Sequence, residues 1–431
     1  MPTLSTPELT RLSQTLAGVL STAEVNQIGR DTGQAERLRT VTPHRLFLAL
    51  VSTLGSGRVE SLADLLRAFN YQNDVTVAYK PFYNQLARSG FATFMQQMLT
   101  RLLDQLRLHT LQPEGHRAVA RFTDIVIQDG SSFAIKAALA ETFPGRFTTI
   151  EPAAVEVHAT YSGFADEVSH VALAPDAQAE RPFLPDPATV RGRLLLADRG
   201  YPGVDYFEAV TANGGAFVIR LTRAYDPWVA AAWVDGVRVP VATGLRLSRL
   251  LARQAGHVVD VDVEFVRGPR RVEVRVVALP GREAAMTRLC TNLPRTPFST
   301  DLIGRLYRFR WQIELYFKEW KSYANLHQFD TANPHIAAGL IWASLCAAVL
   351  KRFLAHAAQR VGRLAISTRR VAMCAHHLID DLVAALLRGT GVRRALRDGL
   401  RYLLINARRS NPKRDRQTGR LRTGLLVVQA A

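Results

Sequence analysis

The run from Tyr307 to Lys321 carries the side chains best suited to chemistry in this chain. Wound as one α-helix at about 100° per residue, it brings Tyr307, Arg310, Glu314 and Lys321 into an arc of roughly 60°. A carboxylate can bind a metal ion, while cations and a phenol can bind phosphate oxygens. This spacing favours work on a phosphodiester, although an amphipathic helix with ordinary charge pairs has the same periodicity.

The neighbouring arc of the predicted helix is apolar and spans roughly 100°, as expected of a face that packs on the core. Tyr316 lies at its edge. The residues that fill it are Leu306, Phe309, Ile313, Phe317 and Trp320. The polar side chains should therefore lie beside the face that anchors the helix.

Two aspartates follow apolar segments that are predicted to be strands. Ile125–Ile127 leads into Asp129, and Leu194–Ala197 leads into Asp198. Such strands are typical of a buried sheet whose carboxyl edge carries a site. With the glutamate of the helix, two aspartates could hold two Mg²⁺ ions roughly 4 Å apart and activate a water or a 3′-hydroxyl. Asp124 is a competing choice, and acids at strand ends are often caps.

The composition indicates an anionic polymer as partner. The chain has 431 residues and a formal net charge of +18, which is more than solubility requires. Its 48% hydrophobic content predicts globular folding, and its length predicts two to four domains. The three cysteines form no C-x-x-C pair, which argues against a disulfide framework or a zinc ribbon and fits a reducing cytoplasm.

The hydropathy of the chain does not indicate a membrane protein. The N-terminus lacks the charged and apolar regions of a signal peptide. The longest apolar run, Ile336–Leu350, is short for a membrane span and typical of a buried helix.

The first 112 residues or so are predicted to be helical. Ser61 is a good N-cap for a helix over Leu62–Phe69, and a break at Asn70–Asp74 precedes a second helix. The further predicted segments are helices at Arg45–Leu54, Ala78–Arg88 and Phe91–Leu108 and a linker at Pro113-Glu114-Gly115.

The second helix of that pair is a candidate DNA-reading helix because it follows a short break and carries polar side chains. These are Lys80, Tyr83, Asn84 and Arg88. Short helix pairs are common in any helical domain, so this segment alone does not decide the matter. The basic tail, Gly389–Ala431, is either solvated or in contact with phosphate.

From about residue 116 the pattern becomes one of strands, and after about 214 it is strongly β. The predicted strands are Phe147–Ile150, Val155–Tyr161, Phe217–Leu221, Val259–Phe265 and Val272–Val276, with the β region ending at Leu289–Pro294. Asp260, Asp262 and Glu264 could be taken for a metal cluster. Their period of two instead favours a row on one solvated face.

The spacing Tyr307-x2-Arg310-x3-Glu314-x6-Lys321 resembles the Y-x2-R-x3-E-x6-K signature of bacterial cut-and-paste transposases of the insertion-sequence-four family. The contexts Gln-Asp-Gly-Ser and Ala-Asp-Arg-Gly-Tyr around the two aspartates resemble that family's first and second catalytic Asp. The β-rich stretch before the signature lies where the family carries an insertion domain.

The resemblance implies an α/β fold with a ribonuclease-H-like catalytic core interrupted by a β-rich insertion domain, and with helical N-terminal and C-terminal regions. It divides the chain into five regions. They are a helical N-terminal DNA-binding domain at 1–115, a first segment of the core at 116–212, the insertion at 213–298, a second segment of the core at 299–360 and a basic helical C-terminal region at 361–431.

The implied reaction is metal-dependent cleavage at the terminal inverted repeats of an insertion sequence, followed by transfer of the freed 3′-hydroxyl into target DNA. By resemblance, two Mg²⁺ ions, for which Mn²⁺ substitutes, are bound by Asp129, Asp198 and Glu314. Phosphates are held by Tyr307, Arg310, Lys321, Arg199 and Lys318. Double-stranded DNA is the implied partner, a homodimer the implied synaptic form, and the nucleoid in the cytoplasm the implied location.

Two other functions use the same residues. A DNA-binding repressor or scaffold could keep this architecture without catalysis, and a plain endonuclease would cut without joining ends. Some family members pass through a DNA hairpin and stack a flipped base on an aromatic of the insertion. Trp228 and Trp233 lie earlier in the chain than the part of the insertion where that aromatic is expected, and both could equally be core residues. Hairpin formation by this chain therefore stays open.

Overall fold

The computed structural model describes residues 5–56, 59–113, 117–201, 203–281, 286–324, 326, 329–410 and 425–428. One large sheet and many helices make a mixed α/β fold. The helices are α1 Thr6–Val19, α2 Thr22–Asp31, α3 Pro43–Ser56, α4 Leu62–Asn73, α5 Tyr79–Leu86, α6 Gly90–Leu106, α7 Arg117–Ala120, α8 Val204–Ala212, α9 Leu247–Arg253, α10 Thr300–Phe309, α11 Trp311–Tyr323, α12 Pro334–Gly362, α13 Thr368–Cys374, α14 His376–Arg388 and α15 Val392–Asn406. The strands are β1 Leu111–Pro113, β2 Ile125–Ala134, β3 Ala154–Ser162, β4 Glu167–Pro175, β5 Leu194–Ala197, β6 Ala216–Arg220, β7 Trp228–Val234, β8 Val237–Val239, β9 Val259–Arg267, β10 Arg270–Pro280, β11 Met286–Thr291 and β12 Leu426–Val428.

The large sheet has the strand order β4-β3-β2-β5-β6-β11-β10-β9-β7-β8. Its centre is parallel, because β5 pairs in parallel with both β2 and β6. The remaining pairs are antiparallel. The four residues of β5 are all buried, as expected of a strand covered on both faces.

The β-rich segment continues this sheet, because β11 pairs with β6 through three residue pairs. One apolar cluster covers both regions, running from Leu195 and Phe217 to Val261 and Val276. The predicted boundary at 213 therefore falls between two paired strands of one continuous sheet, whereas that at 298 follows its last strand, β11. The division into domains stays a prediction.

The helices of both chain ends pack around α12. This helix contacts α3 and α6 from the N-terminal region and α13 and α15 from the C-terminal region. By length and composition α12 could cross a membrane, but 89% of its most apolar window is buried inside the protein. The predicted buried helix over Ile336–Leu350 is thus the central helix of a bundle and extends to Gly362.

The predicted helix pair is present with shifted ends. Ser61 caps α4 in a capping box with Asp64, as the sequence suggests, but the helix runs on to Asn73 and ends at Asp74, whose φ is +49°. The predicted strand Phe147–Ile150 is wrong. This segment is a turn with both end residues exposed, because its apolar side chains find no sheet to cover.

The signature run is two helices and not one, since α10 ends at Phe309 and α11 begins at Trp311. The backbone N–H of Arg310 donates to the Tyr307 carbonyl, three residues back, at 3.0 Å. Arg310 keeps helical angles, with φ −49° and ψ −32°, so the axis is only locally tightened. The linker residues Glu114 and Gly115 and residues 411–424 and 429–431 of the basic tail lie outside the described residues.

Candidate active site

The first two aspartates lie side by side because of the register of two parallel strands. The parallel ladder of β2 and β5 ends at the pair Gln128 and Ala197. Asp129 and Asp198 are the next residue of each chain segment. Asp129 is not at a strand end as predicted, because β2 continues to Ala134 and pairs there with β3.

Each of these aspartates is followed by a glycine that leaves room for a nearby glutamate, directly after Asp129 and two residues after Asp198. A Cβ on Gly130 would lie 2.3 Å from Oε1 of Glu156, and one on Gly200 would lie 1.8 Å from Oε2 of Glu180. A larger residue at either position would therefore push the glutamate carboxylate away from its present place.

The apolar arc predicted for the signature run does anchor it. Its residues are Leu306, Phe309, Ile313, Phe317 and Trp320, and all are buried, as is Tyr316. Phe309 approaches the sheet closely, because a Cβ on Gly163 would lie 2.9 Å from its ring. This contact presses the junction of α10 and α11 against the sheet beside the aspartates.

At that junction, the guanidinium of Arg310 lies within ion-pair distance of all three acids. One guanidinium nitrogen, Nη1, lies 2.5 Å from Oδ2 of Asp129. The other, Nη2, lies 2.5 Å from Oε1 of Glu314 and 3.9 Å from Oδ2 of Asp198. Carboxylates from β2, from the residue after β5 and from α11 therefore meet around one cation, although they are far apart in sequence.

Two further side chains contact Asp198. The Tyr307 hydroxyl donates a hydrogen bond of 2.9 Å to its Oδ1. Nη1 of Arg220 lies 3.8 Å from the same oxygen. Arg220 was not among the predicted site residues. Its position at the end of β6 could have indicated it, because β6 runs parallel to β5 and so ends at the same edge of the sheet.

Burial and mutual repulsion shape the electrostatics of the cluster. Burial raises the pKa of Asp129 to about 6, against the opposing effect of Arg310, and the charges of Asp198 and Glu314 raise it further. Burial acts to lower the pKa of Arg310, but the carboxylates outweigh it and raise that pKa. Burial and the neighbouring Asp198 raise the pKa of Tyr307, so its phenol stays protonated and donates.

The remaining predicted phosphate-binding residues surround this cluster. Nζ of Lys321 donates to the Ser132 carbonyl at 2.6 Å, and burial lowers the pKa of this lysine. Lys318 is exposed, with Nζ 5.1 Å from the centre of the Trp311 ring. Arg199 is exposed directly after the second aspartate.

The candidate DNA-reading residues belong to the helical region and not to this cluster. Lys80 and Asn84 are exposed on α5, while Tyr83 is half-buried. Arg88 lies beyond the end of that helix, where its Nη1 donates to the Gln34 carbonyl at 3.2 Å. This corrects the predicted helix over Ala78–Arg88.

The other acids singled out in the sequence hold the fold together. Asp124 accepts backbone hydrogen bonds from Ile125 and Phe164 at 2.8 and 3.1 Å. Asp260 is buried against Arg275, with Oδ2 and Nη2 2.8 Å apart, so the predicted solvated face is wrong at this position. The other two acids of that row, Asp262 and Glu264, pair with Arg295 and Arg271.

Both tryptophans considered for base stacking are covered by arginines of the same region. The guanidinium carbon of Arg246 lies 3.4 Å from the ring centre of Trp228, and that of Arg295 lies 3.6 Å from the ring centre of Trp233. These cation–π contacts occupy one face of each ring.

The donor set suits a divalent metal ion, although its present geometry does not hold one. Among the described residues, no group of three or more His, Cys, Asp or Glu side chains is close enough to ligate one ion. The reason is that the guanidinium of Arg310 stands between the carboxylates. Carboxylate oxygens are the ligands that Mg²⁺ prefers, so the residues fit an ion once that guanidinium moves aside.

Comparisons with known proteins identify related transposases. The family model described as "Transposase DDE domain" matches residues 121–350, which contain all three acids and Arg310. The transposase for insertion sequence element IS231E of Bacillus thuringiensis subsp. finitimus is 21% identical over 416 residues, covering 86% of each chain. The transposase for IS1151 of Clostridium perfringens is 19% identical over 363 residues, covering 74% of this chain and 75% of the relative.

A shorter and stronger similarity is to the transposase for IS421 of Escherichia coli, 42% identical over 77 residues, or 18% of this chain and 21% of the relative. Among solved structures, the piggyBac transposase synaptic complex with hairpin DNA aligns with a TM-score of 0.45 and 10% identity, covering 91% of this chain and 85% of that chain. Because the family model spans more than half of the chain, the protein belongs to the transposase DDE domain family, and it is an enzyme of DNA cleavage and strand transfer.

Proposed function

We propose that this transposase cuts DNA at the terminal inverted repeats of a bacterial insertion sequence and joins the freed 3′-hydroxyl to target DNA. The observation that carries the proposal is the meeting of Asp129, Asp198 and Glu314 around Arg310. The three acids come from separate elements, and burial and mutual repulsion raise the pKa of Asp129, as is common at functional sites. The relatives named as insertion-sequence transposases support the choice of substrate.

Asp129, Asp198 and Glu314 would hold two Mg²⁺ ions, and Mn²⁺ would substitute for them. Such ions activate an attacking water or hydroxyl and stabilise the leaving oxygen. Three carboxylates suffice because Mg²⁺ takes few protein ligands and leaves positions for substrate phosphate.

Arg310 acts as the exchangeable partner of this cluster. In the structure its guanidinium neutralises the acids. Once it releases them, it stays one helical turn from Glu314 and faces the same space as the substrate phosphate. A guanidinium binds phosphate oxygens in a two-pronged geometry, so Arg310 then holds the DNA strand together with Tyr307 and Lys321.

The proposal also includes a ribonuclease-H-like core and membership of the insertion-sequence-four family. The order β4-β3-β2-β5-β6, with three antiparallel strands followed by two parallel ones, supports a ribonuclease-H-like core. The Y-x2-R-x3-E-x6-K spacing supports membership of the insertion-sequence-four family, since its Tyr, Arg and Glu all take part in one cluster.

The partners follow from the reaction. We expect double-stranded DNA in two roles, as terminal repeat and as target, and a homodimer when two ends are brought together. The exposed Lys80 and Asn84 on α5 are the residues expected to contact the repeat. Because its substrate is chromosomal, the protein would act at the nucleoid in the cytoplasm.

Incubation of the purified protein with an end-labelled fragment carrying the terminal repeat tests the proposal. We expect cleavage at the edge of the repeat with Mg²⁺ and none with EDTA or with Asp198→Asn. Added target DNA should give joined products. Binding without cleavage, under conditions where a related transposase cuts, would support the repressor, while cleavage without joining would support an endonuclease.

A further inference from the structure

We propose that a basic groove beside the active-site helix binds the backbone of target DNA. The groove has a volume of about 630 Å³ and lies between α11 and the segment that leads into α13. It rests on the proposed function, because a target-binding surface has meaning only for an enzyme that joins DNA ends.

The groove begins where the catalytic cluster ends. Lys318 follows Glu314 by four residues, which places it roughly 40° further around α11. Leu315 and Glu319 lie further around the same helix and line the groove. Lys318 thus stands between the acids and the groove, and a strand that leaves one can enter the other without crossing an acidic surface.

The lining carries an excess of positive charge. It includes five cationic side chains and two carboxylates. Both carboxylates, Asp166 and Glu319, pair with the buried Arg352, at 2.8 and 3.3 Å. The exposed Arg369 and Arg370 therefore contribute charge that the acids of the groove do not offset.

These side chains are arranged for phosphates and not for bases. Arg370 is fixed by hydrogen bonds from Nη1 to the Arg408 carbonyl at 2.7 Å and from Nη2 to Ser410 Oγ at 2.8 Å, so its remaining donors are held in place. The hydroxyls of Ser367 and Thr368 also line the groove. Arginines and hydroxyls are typical of phosphate contacts, which position DNA without reading its sequence.

The position favours target DNA over the element end. Tyr307, Arg310 and Lys321 lie on the face of the helix pair that meets the sheet. In an in-line displacement the attacking and leaving oxygens lie on opposite sides of the phosphorus, so end and target must approach from different directions. The groove offers a second direction of approach on the same helix.

The test uses the full-length double variant Arg369→Gln/Arg370→Gln and an element end that has already been cut. Loss of two phosphate contacts should weaken binding of a target duplex without repeats and lower strand transfer about tenfold at physiological salt. The slope of log affinity against log salt should become shallower by about 1.8. Cleavage of an uncut end should stay within about twofold of wild type, and Arg369→Lys/Arg370→Lys should keep most of the transfer activity.

The matched control is Arg249→Gln/Arg253→Gln, which removes the same charge from the exposed side of α9. Wild-type transfer by the control and reduced transfer by the groove variant would support the proposal. Unchanged transfer by the groove variant, or an equal loss of cleavage, would overturn it, the second outcome assigning the groove to the element end. If the wild-type protein cuts no terminal repeat, the proposed function itself is wrong, and the groove proposal, which rests on it, is wrong as well.

Discussion

Helix α11 lies between two clusters of similar composition that differ in their environment. Each is built on a central guanidinium with three carboxylates and a phenol; Arg220 also approaches the outer cluster, and Tyr161 and His356 also contact the inner one. The outer cluster consists of Arg310, Asp129, Asp198, Glu314 and Tyr307. The inner cluster consists of Arg352, Asp166, Glu319, Glu167 and Tyr316.

The two clusters differ in how deeply their carboxylates are buried. The carboxylate side chains around Arg310 are 17 to 29% exposed, whereas the two paired with Arg352 are 6 and 14% exposed. In the inner cluster, burial raises the pKa of Glu167 to about 7, with Arg352 opposing it. The outer acids, which are the more exposed, can exchange one cation for another at a lower desolvation cost than the inner acids.

The comparison teaches that groups of the same kind can hold the fold together on one side of a helix and, under the proposed function, serve chemistry on the other. The inner cluster joins α12, which carries Arg352, to Asp166 beside β4 and to Glu319 on α11. Tyr316 adds a hydrogen bond to Glu167. These contacts fix the position of α11 and so place Glu314 at the aspartates.

The largest expected effect comes from the same substitution on the two sides of α11. Glu314→Gln should lower the cleavage rate about a thousandfold or more, because a metal ligand supports several kcal/mol of transition-state stabilisation. Its thermal midpoint should stay close to that of wild type. Glu319→Gln is the matched variant and should lower the midpoint while folded protein still cleaves. Equal activity loss without destabilisation in both variants would contradict the distinction.

Arg352→Met should destabilise the fold by about 3–5 kcal/mol, because it leaves buried carboxylates without their cation. Urea unfolding followed by circular dichroism measures this loss. Added Mg²⁺ should not restore stability, since the Asp166 side chain is only 6% exposed and the ion would have to shed most of its water to reach it. An unchanged urea midpoint would mean that the inner cluster does not hold α11.

The pH dependence should follow the carboxyl of Asp129, whose pKa of about 6 lies above its usual value. Below that pH the group takes up a proton and loses the charge that we propose to bind metal, so apparent Mg²⁺ affinity should fall about tenfold per pH unit. Cleavage measured against Mg²⁺ concentration at several pH values checks this. Excess Mg²⁺ should move the fall in the cleavage rate at acidic pH to a lower pH. If the pH at which the rate falls does not change with Mg²⁺ concentration, Asp129 is not a metal ligand.

The smallest effect is expected from Tyr307→Phe, which removes the hydrogen bond to Asp198. A hydrogen bond to a charged group contributes about 1.5–3 kcal/mol, so cleavage should fall roughly tenfold to a hundredfold. Tyr316→Phe is the counterpart on the inner side and should change stability rather than rate. A wild-type rate for Tyr307→Phe would leave the phenol without a role in the site.

Much of the site was predictable from the sequence because its signals are local. The spacing within Tyr307–Lys321 placed the polar arc beside the buried arc, and apolar strands marked Asp129 and Asp198. The break at Arg310 was not predictable, since the periodicity of Tyr307–Lys321 fits one continuous helix and does not indicate the hydrogen bond from the Arg310 N–H to the Tyr307 carbonyl.

The inner cluster could not be predicted from the sequence either, because its partners are far apart along the chain. Tyr316 and its partner Glu167 are 149 residues apart, and Arg352 and Asp166 are 186 apart. No periodicity links such pairs. The acids of β9 gave a local signal that tertiary contacts then altered, because Arg275 from β10 covers Asp260.

Metal binding by Arg310→Gln tests the central claim most directly. Mn²⁺ titration followed by electron paramagnetic resonance would compare wild type, Arg310→Gln and the ligand variant Glu314→Gln. If the guanidinium stands where metal binds, its removal should tighten Mn²⁺ binding about tenfold, through the lost positive charge, while DNA cleavage falls. Mn²⁺ binding by Arg310→Gln that is no tighter than wild type would contradict the claim that Arg310 exchanges with the metal.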